Sequence, residues 1–240
     1  MTQRILINGI HGKMGAIAKQ AVDASNTANF VVGCSRHDDL ALAIKEHNIT
    51  TVIDFTTAST AFQNTQTIIE QGAHPIIGTS GLLPNHIDVL QKTCQEKKLG
   101  GIIAPNFSLG AVLLMQCAQS VSSYFSHAEI IEMHHDKKAD APSGTAIKTA
   151  QLLEKSTLTR ANSEETIPHA RGATLGKIPI HAVRLPGMLA REDVIFGNPG
   201  ETLTISHNTL DRSAFMPGIL LALEKVSSLN ELVYGLEHLL

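Results

Sequence analysis

Over the first hundred residues, short apolar runs alternate with longer stretches of helical spacing, and this alternation limits the fold more than any other feature. Ile5–Ile7, Phe30–Gly33, Thr51–Phe55, Pro75–Gly78 and Gly101–Ala104 read as strands. Gly12 to Ala24, Thr57 to Gln71 and Pro84 to Lys97 read as helices. The second of these is stopped by Gly72, and the third is begun by Pro84. Strands bounded by helices imply βαβ units and a parallel sheet buried on both faces. The expected class is α/β.

The pattern changes after Ser108. Leu109 to Val121 is an apolar helix, and Ala128–Met133, Ile178–Arg184, Glu192–Phe196 and Glu201–His207 read as strands. Gly197-Asn198-Pro199-Gly200 joins the last two as a turn, so this second sheet is mixed or antiparallel. Val194, Phe196, Leu203 and Ile205 give it apolar side chains. Ser156 to Gly176 is polar and reads as a surface excursion, and Arg212 to Val226 returns to helical spacing.

Composition excludes several classes. The formal charge of −3 gives no basic surface for nucleic acid, and no apolar run spans a bilayer. The three cysteines, Cys34, Cys94 and Cys117, are isolated, which suits a reducing compartment and a cytoplasmic protein.

The first chemical motif follows the first strand. Gly9-Ile10-His11-Gly12-Lys13-Met14-Gly15 sets glycines between a strand and a helix, where a dinucleotide pyrophosphate needs close backbone approach and a helix N-terminus. The spacing is G-x-x-G-x-x-G, and a tight turn without a ligand is the competing reading. At the end of the second strand, Cys34-Ser35 carries no carboxylate to bond a ribose 2′-OH. Arg36 can pair with a 2′-phosphate or stand as a solvated loop residue, with Asp38 and Asp39 close behind. Either NADPH or NADH fits, with a modest preference for NADPH.

The second motif runs from Glu132 to Ala146 and follows a strand into a helix. It offers two proton donors, His134 and Lys138, and an anion cradle at Ser143-Gly144-Thr145. Simpler readings stand beside these: a solvated lysine pair, Ser143 as a helix cap, or paired histidines on a metal. Zinc-like partner spacing is missing, so no metal is expected.

The segment His134 to Thr145 resembles the H-H-x-x-K-x-D-A-P-S-G-T signature of the dihydrodipicolinate reductases. Further matches lie in order along the chain: Gly9 to Gly15, Asp54-Phe55-Thr56, Gly78-Thr79-Ser80-Gly81, Ala104 to Gly110, His181-Ala182-Val183-Arg184 and Phe215 to Gly218. The resemblance implies a Rossmann-like dinucleotide-binding domain at 1–105 and 213–240. An α+β domain at 106–212 would serve for substrate binding and oligomerisation, with a hinged cleft between the two. It implies homotetramers joined through the second sheet, and reduction of a small cyclic dicarboxylate by NADH or NADPH with loss of water. By position, His134 matches the general acid and Lys138 the second donor, while His135, Gly144 and Thr145 match substrate contacts. Gly9 to Met14 (with Ile10, His11, Gly12 and Lys13), Gly78, Thr79, Ser80, Ala104, Pro105, Asn106 and Phe107 match cofactor contacts. Arg191 stands where the family often has a histidine.

Overall fold

The computed structural model describes residues 2–240. The chain divides into two compact units, one running to Leu109 and resumed over Arg212–Leu240, the other Gly110–Asp211.

In the first unit, chain order runs β1 (Gln3–Asn8), α1 (Lys13–Asp23), β2 (Ala28–Cys34), α2 (Leu40–Glu46), β3 (Thr51–Asp54), α3 (Ala58–Glu70), β4 (His74–Ile77), α4 (Pro84–Lys97) and β5 (Gly101–Ile103). The second unit holds most of α5 (Leu109–Val121), then β6 (His127–His134), α6 (Gly144–Leu153), β7 (Ala173–Leu175), β8 (Ile178–Arg184), β9 (Ala190–Asn198) and β10 (Glu201–Thr209). The chain then returns to the first unit with α7 (Met216–Val226) and β11 (Leu232–Tyr234).

The first sheet is parallel, in the order β11-β5-β4-β3-β1-β2. Its strands are apolar on both faces because both are covered. Leu6, Val52, Ile77 and Ile103 pack into a core with Ile44, Ile68, Ile69 and Leu90 from the helices α2, α3 and α4. Ile5, Ile7, Ile53, Ile76 and Ile102 alternate with them toward the opposite face, and all are buried. Strand order reverses at β1, which lies between β2 and β3; in such sheets ligands bind beyond the carboxyl ends of the strands at that point.

The second sheet has the order β10-β9-β6-β8-β7. It is mixed: β6 and β8 are parallel, and the other pairs are antiparallel. Val194 and Phe196 are buried on the face that also carries Glu132, whereas Leu203 on the edge strand is exposed. The opposite face carries Glu129, Ile131, His181, Ile195 and Thr202, which line a depression of about 450 Å³.

Three sequence expectations change. Arg212 to Val226 is not one helix: Arg212–Phe215 forms a 3₁₀ turn, and the α-helix begins at Met216 beside Pro217, which lacks an N–H and suits a first turn. The excursion Ser156 to Gly176 contributes Ala173–Leu175 to the sheet edge against β8. Asp38 and Asp39, read only as negative charge close behind Arg36, both make fixed hydrogen bonds. The Asp38 carboxylate accepts from Ser35 N (2.7 Å) and Ser35 Oγ (2.9 Å), and Asp39 caps α2 by accepting from Leu42 N (3.0 Å).

Candidate active site

In the first unit, the residues expected to meet a dinucleotide all follow carboxyl ends of parallel strands. Gly9 follows β1, Arg36 comes two residues after β2, Gly78 follows β4 and Ala104 follows β5. The glycine turn has a steric cause. Gly9 has φ +85°, and a Cβ there would lie 2.6 Å from the Phe55 carbonyl oxygen. A Cβ on Gly15 would lie 2.3 Å from the Gly9 carbonyl oxygen and 2.8 Å from the Ile10 Cα, so the turn folds onto α1 only over glycine. Gly12 is the N-cap of α1 with no side-chain cap bond, and His11, Gly12 and Lys13 are exposed. A helix start of this kind, approached by bare backbone, fits an anionic pyrophosphate.

Behind the turn sits Asp54, fully buried. Its carboxylate accepts from Asn8 Nδ2 (2.8 Å), Thr56 N (3.0 Å), Thr56 Oγ1 (2.7 Å), Asn64 Nδ2 (2.9 Å) and Thr79 Oγ1 (2.7 Å). Thr79 therefore spends its hydroxyl on the scaffold, while Ser80 beside it is exposed. Phe107 is buried and packs edge-on to Phe55, with ring centroids 5.6 Å apart; Pro105 is exposed and Asn106 half-buried. Arg36 is exposed. The Asp38 carboxylate folds back onto Ser35, so the strand end does carry an acid, supplied three residues beyond Ser35. The hydrogen bonds from Ser35 N and then Ser35 Oγ hold Asp38 below the usual carboxylate range.

In the second unit, β6 ends at His134 and the chain turns through Lys138 into α6. The organising group is Glu132, fully buried. Residues two apart on a strand share a face, which sets Glu132 and His134 side by side. One carboxylate oxygen accepts from His134 Nδ1 at 2.6 Å and Arg184 Nη1 at 2.9 Å. The other accepts from Arg184 Nη2 at 2.7 Å and Ser143 N at 3.1 Å. Burial alone would push the Glu132 carboxyl up. The hydrogen bonds from His134 and Arg184, with the guanidinium charge, outweigh it and hold the group below its ordinary value.

Arg184 Nη2 also donates to the Asp140 carbonyl (2.8 Å), and the Asp140 carboxylate accepts Lys138 Nζ at 2.7 and 2.8 Å. His134, Lys138 and Ser143 thus belong to one connected network. Ser143 is buried and caps α6, its Oγ accepting from Ala146 N at 3.2 Å, so its hydroxyl shapes the helix start. Gly144 is exposed, with no atom near its missing Cβ. Thr145 and His135 are half-buried.

The sequence reading assigned no role to Glu132, Arg184 or Glu192. Glu192 stands opposite Glu132 across the β6–β9 pair and accepts from Thr149 Oγ1 at 2.6 Å. Burial, and then the charges of Glu132 and Asp193, push its carboxyl up to about 7 against the weaker pull of Thr149. Arg191 lies among the opposite-facing residues of β9, where its Nε bonds both Asp193 oxygens (3.0 and 3.1 Å).

Known proteins agree with this architecture from end to end. Residues 3–107 match the family described as dihydrodipicolinate reductase, N-terminus, and residues 110–240 its C-terminus. The 4-hydroxy-tetrahydrodipicolinate reductase of Legionella pneumophila (strain Philadelphia 1) is 51% identical over the whole of both chains. That of Coxiella burnetii (strain RSA 493) is 50% identical, again over both whole chains. Among solved structures, dipicolinate-bound dihydrodipicolinate reductase from Paenisporosarcina sp. TG-14 superposes with a TM-score of 0.89 at 36% identity, covering all of each chain. The scyllo-inositol dehydrogenase of Lactobacillus casei (TM-score 0.64, 11% identity) shares the fold alone. With the signature block, the glycine turn and both halves matched in order, the chain belongs to the dihydrodipicolinate reductase family.

Proposed function

We propose that this protein is a 4-hydroxy-tetrahydrodipicolinate reductase of the diaminopimelate and lysine pathway, reducing a cyclic dicarboxylate imine with loss of water to give tetrahydrodipicolinate. The observation that carries the reading is the likeness to reductases of that name at about half identity over the whole chain. NADH or NADPH, when bound, supplies the hydride. Gly9 to Met14 would hold its pyrophosphate at the uncapped start of α1, with Gly78, Thr79, Ser80 and Ala104 to Phe107 at the neighbouring strand ends.

Hydride addition beside an imine leaves negative charge on the ring, and His134 donates the proton that meets it. Lys138 and the start of α6 at Ser143, Gly144 and Thr145 neutralise a substrate carboxylate and orient the ring, with His135 as a further contact. The Asp140 carboxylate holds Lys138 ready at that position. The division of labour follows the two units, dinucleotide in the first and substrate in the second.

The exposed sheet face at Glu129, Ile131, His181 and Ile195 is the proposed subunit contact of a homotetramer. Among the described residues no helix is long and apolar enough to cross a membrane; the three isolated cysteines, which suit a reducing compartment, favour the cytoplasm. A coupled assay tests the reaction. Purified protein should oxidise NADH or NADPH, followed at 340 nm, only when the product of dihydrodipicolinate synthase is supplied. Folded protein that turns over neither cofactor would refute it. Light scattering should give the mass of four chains.

A further inference from the structure

We propose that Glu132 is a positioning residue for the proton transfer: it fixes the tautomer and orientation of the His134 ring and ties that ring to the start of α6. The inference deepens the reading of His134 as the acid and rests on it.

The argument begins with what the carboxylate can accept. Glu132 has about four acceptor positions, and four donors fill them: His134 Nδ1, two guanidinium nitrogens of Arg184, and Ser143 N. No position is left over, so the group is fixed from three directions, by its own strand, by β8 and by the residue that caps α6. A carboxylate can only accept, so His134 Nδ1 must carry the hydrogen between them. Nε2 is then the nitrogen left for the substrate, and it donates when the ring is protonated. Without Glu132 the ring would be free to place its hydrogen on either nitrogen and to rotate about χ2.

The same carboxylate links the acid to the cradle. Ser143 donates its N–H to Glu132 and its Oγ accepts from Ala146 N, so ring and helix start are positioned from one point. Arg184 balances the buried charge and holds the Asp140 carbonyl. Glu192 also faces Glu132, across the β6–β9 pair.

The first test needs no variant and no turnover. Nitrogen and carbon NMR shifts of the His134 ring in the unmutated protein at alkaline pH should report the Nδ1–H tautomer. The Nε2–H tautomer would overturn the proposal. Glu132→Gln should then populate both tautomers and lower kcat by about 10–100-fold, the usual effect of losing a partner that orients a working histidine. KM for the dicarboxylate should change much less. Glu132→Asp keeps the charge and should recover part of the rate if Gln proves poorly folded.

In kcat the double variant Glu132→Gln, His134→Gln should be no slower than His134→Gln alone, because for the proton transfer Glu132 acts only through the ring, and any loosening of the helix start is read in KM. Losses that multiply would show a separate structural role and overturn the inference. Normal turnover in His134→Gln with the Nδ1–H tautomer intact would instead discard the reading of His134 as acid and leave the geometry standing.

Discussion

Replacing Glu192 by glutamine should stabilise the second unit at pH 8 and change little at pH 4.5. Glu192 is 5% exposed and receives Thr149 Oγ1; burial first, and then the charges of Glu132 and Asp193, push its carboxyl from 4.5 to about 7. A carboxyl raised in the folded state binds protons more tightly there than in the unfolded chain. Its contribution is therefore neutral below about pH 4.5, falls as pH rises toward 7, and is a constant penalty above. From 4.5 to about 7, at 1.36 kcal/mol per pH unit, that penalty is about 3 kcal/mol. Glutamine never ionises, keeps an oxygen for Thr149 and matches the volume. A protein of this size gains about 2–4 °C in Tm per kcal/mol, so the variant should melt about 6–12 °C higher at pH 8. Glu132 and Asp140 have depressed values, so their stability is present above the unfolded values and lost as pH falls; both remain in both proteins and cancel in the difference. Thermal melts of the pair from pH 4.5 to 8.5 give the measurement. Curves that differ by the same amount at every pH, or a variant less stable at pH 8, would refute the reasoning.

His134→Gln should lower kcat by roughly 10²–10⁴-fold with little change in KM, measured in the coupled assay. Lys138→Ala should lower kcat and raise KM for the dicarboxylate together, because it removes a charge from the carboxylate's side. Gly15→Ala should weaken cofactor binding at least tenfold in fluorescence titrations. The added methyl would press on the backbone of Gly9 and Ile10, so the turn must shift. Arg36→Ala should reduce kcat/KM for NADPH by tenfold at most and leave NADH nearly unchanged, because an exposed ion pair is worth about 1 kcal/mol or less and the Asp38 carboxylate, held on Ser35, adds negative charge to the same strand end.

The sequence was most legible where one local rule decides the structure. The glycine turn needs no distant partner to be seen, since strand, glycines and helix start are contiguous, and the five parallel strands announce themselves as apolar runs. β7 (Ala173–Leu175) sits inside a polar stretch that masks it, and β11 (Leu232–Tyr234) is fixed as a strand by its pairing with β5, more than a hundred residues away. Helix α2 has seven residues, and Asp39, which caps it, reads in the sequence only as charge near Arg36. At the site, His134 and Lys138 were visible by chemical type. Glu132 was printed in the same segment but its role depends on Arg184, 52 positions away on a neighbouring strand. One signal was available: Glu132 and His134 are two apart on a predicted strand, which puts an acid and a histidine on one face. Asp54 was likewise read as part of a motif, whereas its five donors come from four separate places in the chain.

The way the two units are threaded has a consequence for how the protein is made. The second unit, Gly110–Asp211, is one uninterrupted segment, while the first is assembled from both ends of the chain. β11 pairs with β5, and α7 packs on α1, across more than a hundred intervening residues. During synthesis, therefore, the segment that emerges later can close its own core earlier. The sheet that emerges first must wait, its edge at β5 unpaired and its apolar face unsheltered by α7, until residues beyond Arg212 arrive. That interval is when the nascent chain is most exposed to aggregation, and a stall or truncation between Asp211 and Leu232 would leave a finished second unit attached to an unfinished first one.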